Sequence, residues 1–369
     1  MKAIRVEEHG GLEALQVVEL PVPEPGPGQV RLRVAWTALN HLDLWVRKGV
    51  SGHRFPLPMT PGCDFSGVVD ACGAGVTGWE EGDRVTVGPG FTLADGVEAA
   101  AGEQHLARDY GIYGETTDGG NAEFAVVQAE NLIAVPDDYP LDLAAAFPLT
   151  YLTAWHMVVE RCRIRPWDKV LVHAAGSGVS VAATQIARLH GAEVMVTAGS
   201  DAKVARGIEN GASLGVNYRD EDWTAAAKAW TAKRGLDIIV DHVGVDTLPK
   251  GVWALAKGGR LVTCGVTSGA EMQLHFAPIF FKSLSILGST MGGLGELKQL
   301  ASLVFRGELT PIVDRRFYGL EEVAQAHAHV EAREAFGKVL VQVSDLETPS
   351  RRALLDDDPV RESDQGSTP

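Results

Sequence analysis

The chain has 369 residues, a length that suggests about two domains, and its 45% hydrophobic and 22% charged composition excludes disorder over the whole chain. Its 33 basic and 48 acidic residues leave a formal charge of −15 at pH 7, which argues against nucleic-acid or anionic-membrane partners. No export signal or long apolar run is apparent, and Cys63, Cys72, Cys162 and Cys264 stand apart without a CxxC pair, so a reduced, cytoplasmic setting is expected with no disulfide framework.

Residues 1 to about 135 mix alternating stretches, Val30-Arg31-Leu32-Arg33-Val34 among them, with glycine and proline turns such as Gly82-Asp83-Arg84. These read as short antiparallel strands and predict a small β-barrel-like domain over 1–149. From Lys169 the texture becomes KVLVHAA, a helix, EVMVTA, DAKVARGIENG, SLGVNY, an alanine-rich segment, LDIIVDHVG, a helix, RLVTCG and SILGST. Strands alternating with helices predict an α/β, doubly wound parallel sheet of the dinucleotide-binding kind over 150–290. A helix over 295–306, an extended piece near Arg315-Arg316-Phe317, a helix over 321–330 and the run Gly337-Lys338-Val339-Leu340-Val341 are expected to return to the first domain over 291–345. The polar, aromatic-poor stretch 346–369 is expected to be a disordered tail.

The predicted strand over 169–175 runs straight into Gly176-Ser177-Gly178-Val179-Ser180 and a helix with Val179, Ala182, Ala183, Ile186 and Ala187 on one face. Small residues there let backbone N–H groups approach a pyrophosphate at the positive end of the helix. Ala175, Ser177 and Ser180 hold the glycine places of GxGxxG, so the pattern gains its weight from the flanking strand and helix. After the next strand stand Gly199 and Ser200 where an acidic residue would hold the adenosine ribose of NAD. Lys203, Arg206 and Tyr218 offer donors to a 2′-phosphate, which favours NADP(H), unless Ser200 or Asp201 merely caps the next helix and Lys203 is a surface charge.

With Pro61-Gly62-Cys63-Asp64, Gly82-Asp83-Arg84-Val85, the string FPLTYLTAWHMV, the HAAGSGV loop, Val240-Asp241-His242-Val243-Gly244 and Gly337-Lys338-Val339, the chain resembles the medium-chain dehydrogenase/reductase superfamily over about 1–343. The resemblance implies a GroES-like catalytic domain beside a Rossmann domain. The superfamily's zinc-dependent branch holds a catalytic metal at three positions that match Asn40, Cys63 and Leu149, and leucine has no donor while a carboxamide is a poor one. The branch's structural-zinc lobe matches GFTLADGVEAAAGEQHLA in length, with Leu93, Gly96, Ala99 and Ala107 in the ligand places. Both metals are therefore expected to be absent. A substitute site from His41, Asp43, Cys63 and Asp64 is the weaker alternative, because these residues also read as buried structural partners.

NHLD at 40–43 is similar to the zinc-free quinone oxidoreductases and enone reductases, which implies NADPH-dependent hydride transfer to a quinone or an α,β-unsaturated carbonyl. Asn40 is then expected near ribose or substrate oxygen. Trp45 stands where many members have a tyrosine, so solvent, Tyr151 or His41 is left as the proton source. The resemblance also places Thr153, the loop His242-Val243-Gly244, and Cys264-Gly265-Val266 beside the nicotinamide, each with a plain structural alternative as helix, turn or core residue. Trp36, Trp45, Phe55, Phe147 and Tyr151 are candidates for a flat apolar pocket or for core packing. Two rival functions stay open, a zinc alcohol dehydrogenase with unusual ligands and a non-catalytic NADPH-binding regulator. A homodimer or homotetramer pairing the edge strand over 285–290 is expected from the resemblance.

Overall fold

Among the described residues two large sheets share the molecule unequally in sequence, beside two small two-stranded ones. The computed structural model describes residues 1–93, 96–269 and 271–346, so the expected tail lies outside the described residues except for Leu346. The first sheet contains Gln29–Ala38 (β1), Asp64–Cys72 (β2), Arg84–Val87 (β3), Phe124–Gln128 (β4) and Leu132–Ala134 (β5). Val30, Leu32 and Val34 of β1 point inward while Arg31 turns out to pair with Asp70 at 2.6 Å, the alternation of a half-buried strand. From Val34 onward β1 is buried on both faces, because Leu141, Ala144 and Ala145 pack against Ala35, Trp36 and Ala38.

The second sheet is parallel and consists of Lys169–Val172 (β6), Glu193–Ala198 (β7), Leu214–Asn217 (β8), Leu236–Asp241 (β9), Leu255–Thr263 (β10) and Ser285–Gly288 (β11). Its order is β8-β7-β6-β9-β10-β11, doubly wound, with the direction of winding reversing between β6 and β9. Val170, Leu171, Val172, Val194, Met195 and Val196 are all buried, as strands covered by helices on both faces require. A crevice forms where the crossovers diverge, at the carboxyl ends of β6 and β9, and ligands of such sheets bind there.

The chain then comes back to the first sheet. Val313–Tyr318 (β12) and Lys338–Gln342 (β13) extend the first sheet, with Leu340 opposite Ala38 and Gln342 opposite Trp36. Five helices position the cleft: His41–Lys48 (α1), Pro148–Trp155 (α2), Gly178–Leu189 (α3), Asp201–Glu209 (α4) and Val323–Glu331 (α5). Of the expected inner face of α3, Ala182, Ala183, Ile186 and Ala187 are buried and Val179 is half-buried, and Ser180, Val181 and Thr184 are buried as well, because the helix lies between the sheet and α2. Among the described residues no helix is long and apolar enough to cross a membrane.

Candidate functional site

The carboxyl edge of the parallel sheet carries unspent hydrogen-bond donors. Beyond β6 the chain turns through Ala174 at φ 55°, and Ser177 N–H donates to the Ala174 carbonyl at 2.9 Å. Ser177 then stands extended before α3 without capping it, so the N–H groups of Gly178, Val179 and Ser180 have no intrahelical acceptor. A side chain on Gly178 would meet Thr150 Cγ2 at 2.9 Å, so the close approach of α2 and α3 needs glycine there. The Gly176 carbonyl accepts from Gly337 N–H at 2.8 Å, which pins the returning chain to the loop. Free amides, small residues and a helix N-terminus together fit a pyrophosphate.

On the β7 side, Ser200 accepts the Lys203 N–H at 3.4 Å and so takes the capping role. Lys203 Nζ donates to the Arg333 carbonyl at 2.6 Å across the cleft mouth, and burial lowers its pKa. Arg206 is spent on Asp314 at 3.1 Å and on the Phe336 ring. Tyr218 is exposed beside Gly199, where an added Cβ would lie 2.7 Å from the tyrosine oxygen and 3.4 Å from Arg219 Nε. Arg219 escapes a reading that stops at the strand-end tyrosine. It is exposed and makes no ion pair among the described residues, which leaves it a free cation beside Gly199.

On the β9 side, Asp241 accepts from Val243 N–H at 2.7 Å and Gly244 N–H at 3.0 Å, folding the 242–244 turn back on the strand. Gly244 has φ 101°, and a side chain there would strike the Gly269 carbonyl at 2.9 Å. Thr267 and Ser268 N–H donate to the His242 and Val243 carbonyls, so the turn and the 264–266 loop form one wall. Burial pushes the Cys264 thiol up to about 12 and keeps it protonated. Ser180 in the third glycine place is buried against this wall, its oxygen 2.6 Å from the His173 carbonyl and 2.9 Å from His242 Nε2. Thr153 is buried too, and its hydroxyl goes to the Leu149 carbonyl at 2.7 Å within its own helix.

The floor of the cleft is the opposite case. Asn40, Cys63 and Leu149 do converge, but around a lysine. Lys338 Nζ, buried, donates to Asn40 Oδ1 at 2.6 Å and to Asp64 Oδ2 at 3.0 Å. Asn40 Nδ2 donates to Asp64 Oδ2 at 2.9 Å and approaches Cys63 Sγ at 3.2 Å, while Leu149 contributes its N–H to Asp64 Oδ1 at 2.8 Å. Asp43 accepts from the N–H groups of Asn40 and Gly62, and burial raises its carboxyl to about 6. Cys63 is pushed well up, first by burial and then by Asp43 and Asp64. A protonated thiol, a tied amide and an ammonium between them are a poor donor set for zinc. Among the described residues no group of three or more His, Cys, Asp or Glu is arranged to hold a metal. In the segment that matches the structural-zinc lobe in length, Leu93 is exposed, and Asp109 holds the loop through Thr92 Oγ1 at 2.5 Å and Leu93 N–H at 2.9 Å.

Two expectations need correcting. Tyr151 is not at the cleft: its hydroxyl is buried, donates to the Thr310 carbonyl at 2.8 Å and meets Gln185 at 3.1 Å. Burial of Trp36, Phe55, Phe147 and Tyr151 in the core leaves Trp45 as the one exposed aromatic of the five. Asn40 has its amide committed within the floor, so it has no spare donor for a substrate oxygen. His41 is exposed at the start of α1, edge-on to Trp45, and desolvation of its ring, with help from Arg333 and Lys48, lowers its pKa.

Residues 178–306 match the zinc-binding dehydrogenase family, and residues 26–137 match the alcohol dehydrogenase GroES-like domain. Quinone oxidoreductase of Homo sapiens is 29% identical over 349 residues, covering 92% of this chain and 97% of its own length. A solved NAD-dependent alcohol dehydrogenase is 46% identical with a TM-score of 0.90, over 93% of this chain and 100% of that one. A cobalt- and zinc-bound thermostable alcohol dehydrogenase from Pyrobaculum aerophilum is 32% identical with a TM-score of 0.83, over 93% and 99%.

Proposed function

Because the chain belongs to the medium-chain dehydrogenase/reductase superfamily, whose quinone oxidoreductases use a nicotinamide cofactor, we propose that it is an NADPH-dependent, zinc-free reductase of quinones or α,β-unsaturated carbonyls. The observation that carries this reading is the floor cluster, where Lys338 is bonded to Asn40, one of the three positions that match metal ligands in the zinc branch, and to Asp64, which in turn accepts from Leu149 N–H at another of them. When bound, the nicotinamide supplies a hydride. The Gly178–Ser180 amides hold the pyrophosphate, Tyr218 and Arg219, with Lys203 once it leaves Arg333, meet the 2′-phosphate, and the 242–244 and 264–266 wall orients the ring.

Alcohol oxidation builds localised charge on oxygen and leans on a metal. Hydride addition to a conjugated carbonyl spreads the charge over an enolate, for which one or two donors suffice. His41 is the remaining titratable side chain of the expected set at the cleft. A neutral imidazole there relays a proton from solvent, giving one up at one nitrogen as it takes one at the other. The free thiols suit work in the cytoplasm. A homodimer is proposed through the edge strand β11, beside which Trp253, Phe276, Phe280 and Phe281 are exposed.

Turnover of a panel of quinones and enones with NADPH and with NADH, alongside elemental analysis, tests the proposal. Metal-free protein should reduce at least one member and prefer NADPH. A second reading, a metal-dependent alcohol dehydrogenase, is favoured by the 32% identical cobalt- and zinc-bound alcohol dehydrogenase. About one zinc per chain, with turnover lost on chelation, would replace the first reading with the second.

A further inference from the structure

Arg47 is 1% exposed and His327 0%, yet both keep polar atoms without a partner. Arg47 Nη2 donates to Glu331 Oε2 at 2.8 Å, while its Nε and Nη1 are buried and unpartnered among the described residues. The same holds for Nδ1 and Nε2 of His327. These groups are neighbours. His327 and Glu331 lie one turn apart on α5, and the guanidinium that reaches Glu331 from α1 carries its charge to His327 as well. The N-terminal segment packs onto the same place: Gly10 N–H donates to the Arg47 carbonyl at 2.9 Å, and Leu15 joins Val323 and Ala326 of α5 in one apolar cluster. Buried polar groups amid aliphatic side chains are costly to leave unsatisfied and are nearly always paired.

The chemistry of the unspent set names its ligand. A guanidinium only donates, and His327, kept neutral by burial and then by Arg47, donates once and accepts once. Donors therefore outnumber acceptors. Charge points the same way. Arg47 and Lys48 share the one carboxylate of Glu331, and Glu13, whose carboxylate feels Arg47, is exposed and accepts from Gly11 N–H at 2.8 Å. We propose that Arg47 and His327 hold a small monovalent anion between α1 and α5, with Arg47 Nε–H and Nη1–H and one imidazole N–H as its donors. The anion braces the helix capped by Asn40 against the helix that precedes Lys338, so its occupancy bears on the floor from behind.

Chloride and bromide are the probes, and every arm uses the full chain. Crystals soaked in sodium bromide, with data collected at the bromine absorption edge, should show an anomalous peak within hydrogen-bonding reach of Arg47 Nε and Nη1 and of the His327 ring. In solution, the thermal midpoint of the wild type should rise with the logarithm of chloride concentration as chloride replaces gluconate at constant ionic strength. Arg47→Met should abolish that dependence. His327→Leu should weaken chloride roughly tenfold, as for one lost hydrogen bond, and His327→Gln, which restores an N–H donor, should recover most of the loss. Glu331→Gln has the opposite sign: it removes the competing carboxylate and should tighten chloride, which the loss of a merely structural ion pair would not do. Should Arg47→Met not fold, the bromide peak and the His327 pair decide alone. Bromide-soaked crystals without an anomalous peak at this place, a wild-type midpoint indifferent to chloride, or a chloride response undiminished in His327→Leu or in folded Arg47→Met would overturn the proposal.

Discussion

The two sides of the cleft treat polar groups in opposite ways. On the floor, Asn40, Asp64, Lys338 and the Leu149 amide satisfy one another, and little is left over for a ligand. At the sheet edge, the Gly178–Ser180 amides have no intrahelical acceptor and the Arg219 guanidinium makes no ion pair among the described residues. Buried polar groups are nearly always paired, so a fold that keeps unpaired donors in contact with solvent at one edge has reserved them. The sheet edge is thus written in vacancies. The floor is written in bonds, and it acts by holding shape.

Lys338→Met breaks the floor and should have the largest effect. It leaves the Asp64 carboxylate buried without its cation, and unfolding by denaturant should show a loss of about 3–5 kcal/mol. Adding Asp64→Asn should recover part of it; a double variant no better than the single one would mean that the pair is not the source. Next comes acid sensitivity. His327 is buried with both ring nitrogens unpartnered among the described residues, and burial, then Arg47, lower its pKa to about 3. The unfolded imidazole takes up its proton near pH 6.5, so this contribution to stability is full above that pH and is lost as the pH falls towards 3. His327→Leu should flatten that limb of the stability–pH curve, with the slope measured by denaturant titration at several pH values.

At the edge, Arg219→Ala should weaken NADPH roughly tenfold and leave NADH unchanged, as expected for one charge-assisted contact to a phosphate. Equal binding of the two nucleotides before and after the change would remove Arg219 from the site. The smallest effect belongs to Tyr151→Phe, which should cost about 1 kcal/mol of stability through the lost bond to Thr310 and leave the Michaelis constants alone. A change confined to turnover would return Tyr151 to the chemistry.

Much of the fold was legible because its signals are local. KVLVHAA followed by GSGVS announces a strand, a turn and a helix within a dozen residues, and the sheet forms there. The alternation at 30–34 likewise marks a half-buried strand. The floor was legible only in its three matching positions, since nothing local to Lys338 tells that its ammonium ends between Asn40 and Asp64, 298 residues from Asn40 in sequence. Tyr151 misled for a related reason: a tyrosine on a helix near the linker shows no sign of which side its hydroxyl takes, and packing against Gln185 and Thr310 decided it. Ser180 looked like a defect in a glycine motif until the His173 carbonyl and His242 were seen to share its oxygen.

The seam between Trp36–Ala38 and Leu340–Gln342 bears on how the protein is made. A nascent chain leaving the ribosome exposes the first strand early and its partner almost last, with the whole parallel sheet emerging in between. Until then that strand shows an apolar, unmatched edge, the kind of surface that chaperones cover and that aggregates recruit. Losing the final thirty or so described residues would therefore do more than shorten the molecule: it would leave the opening half of the protein permanently unfinished.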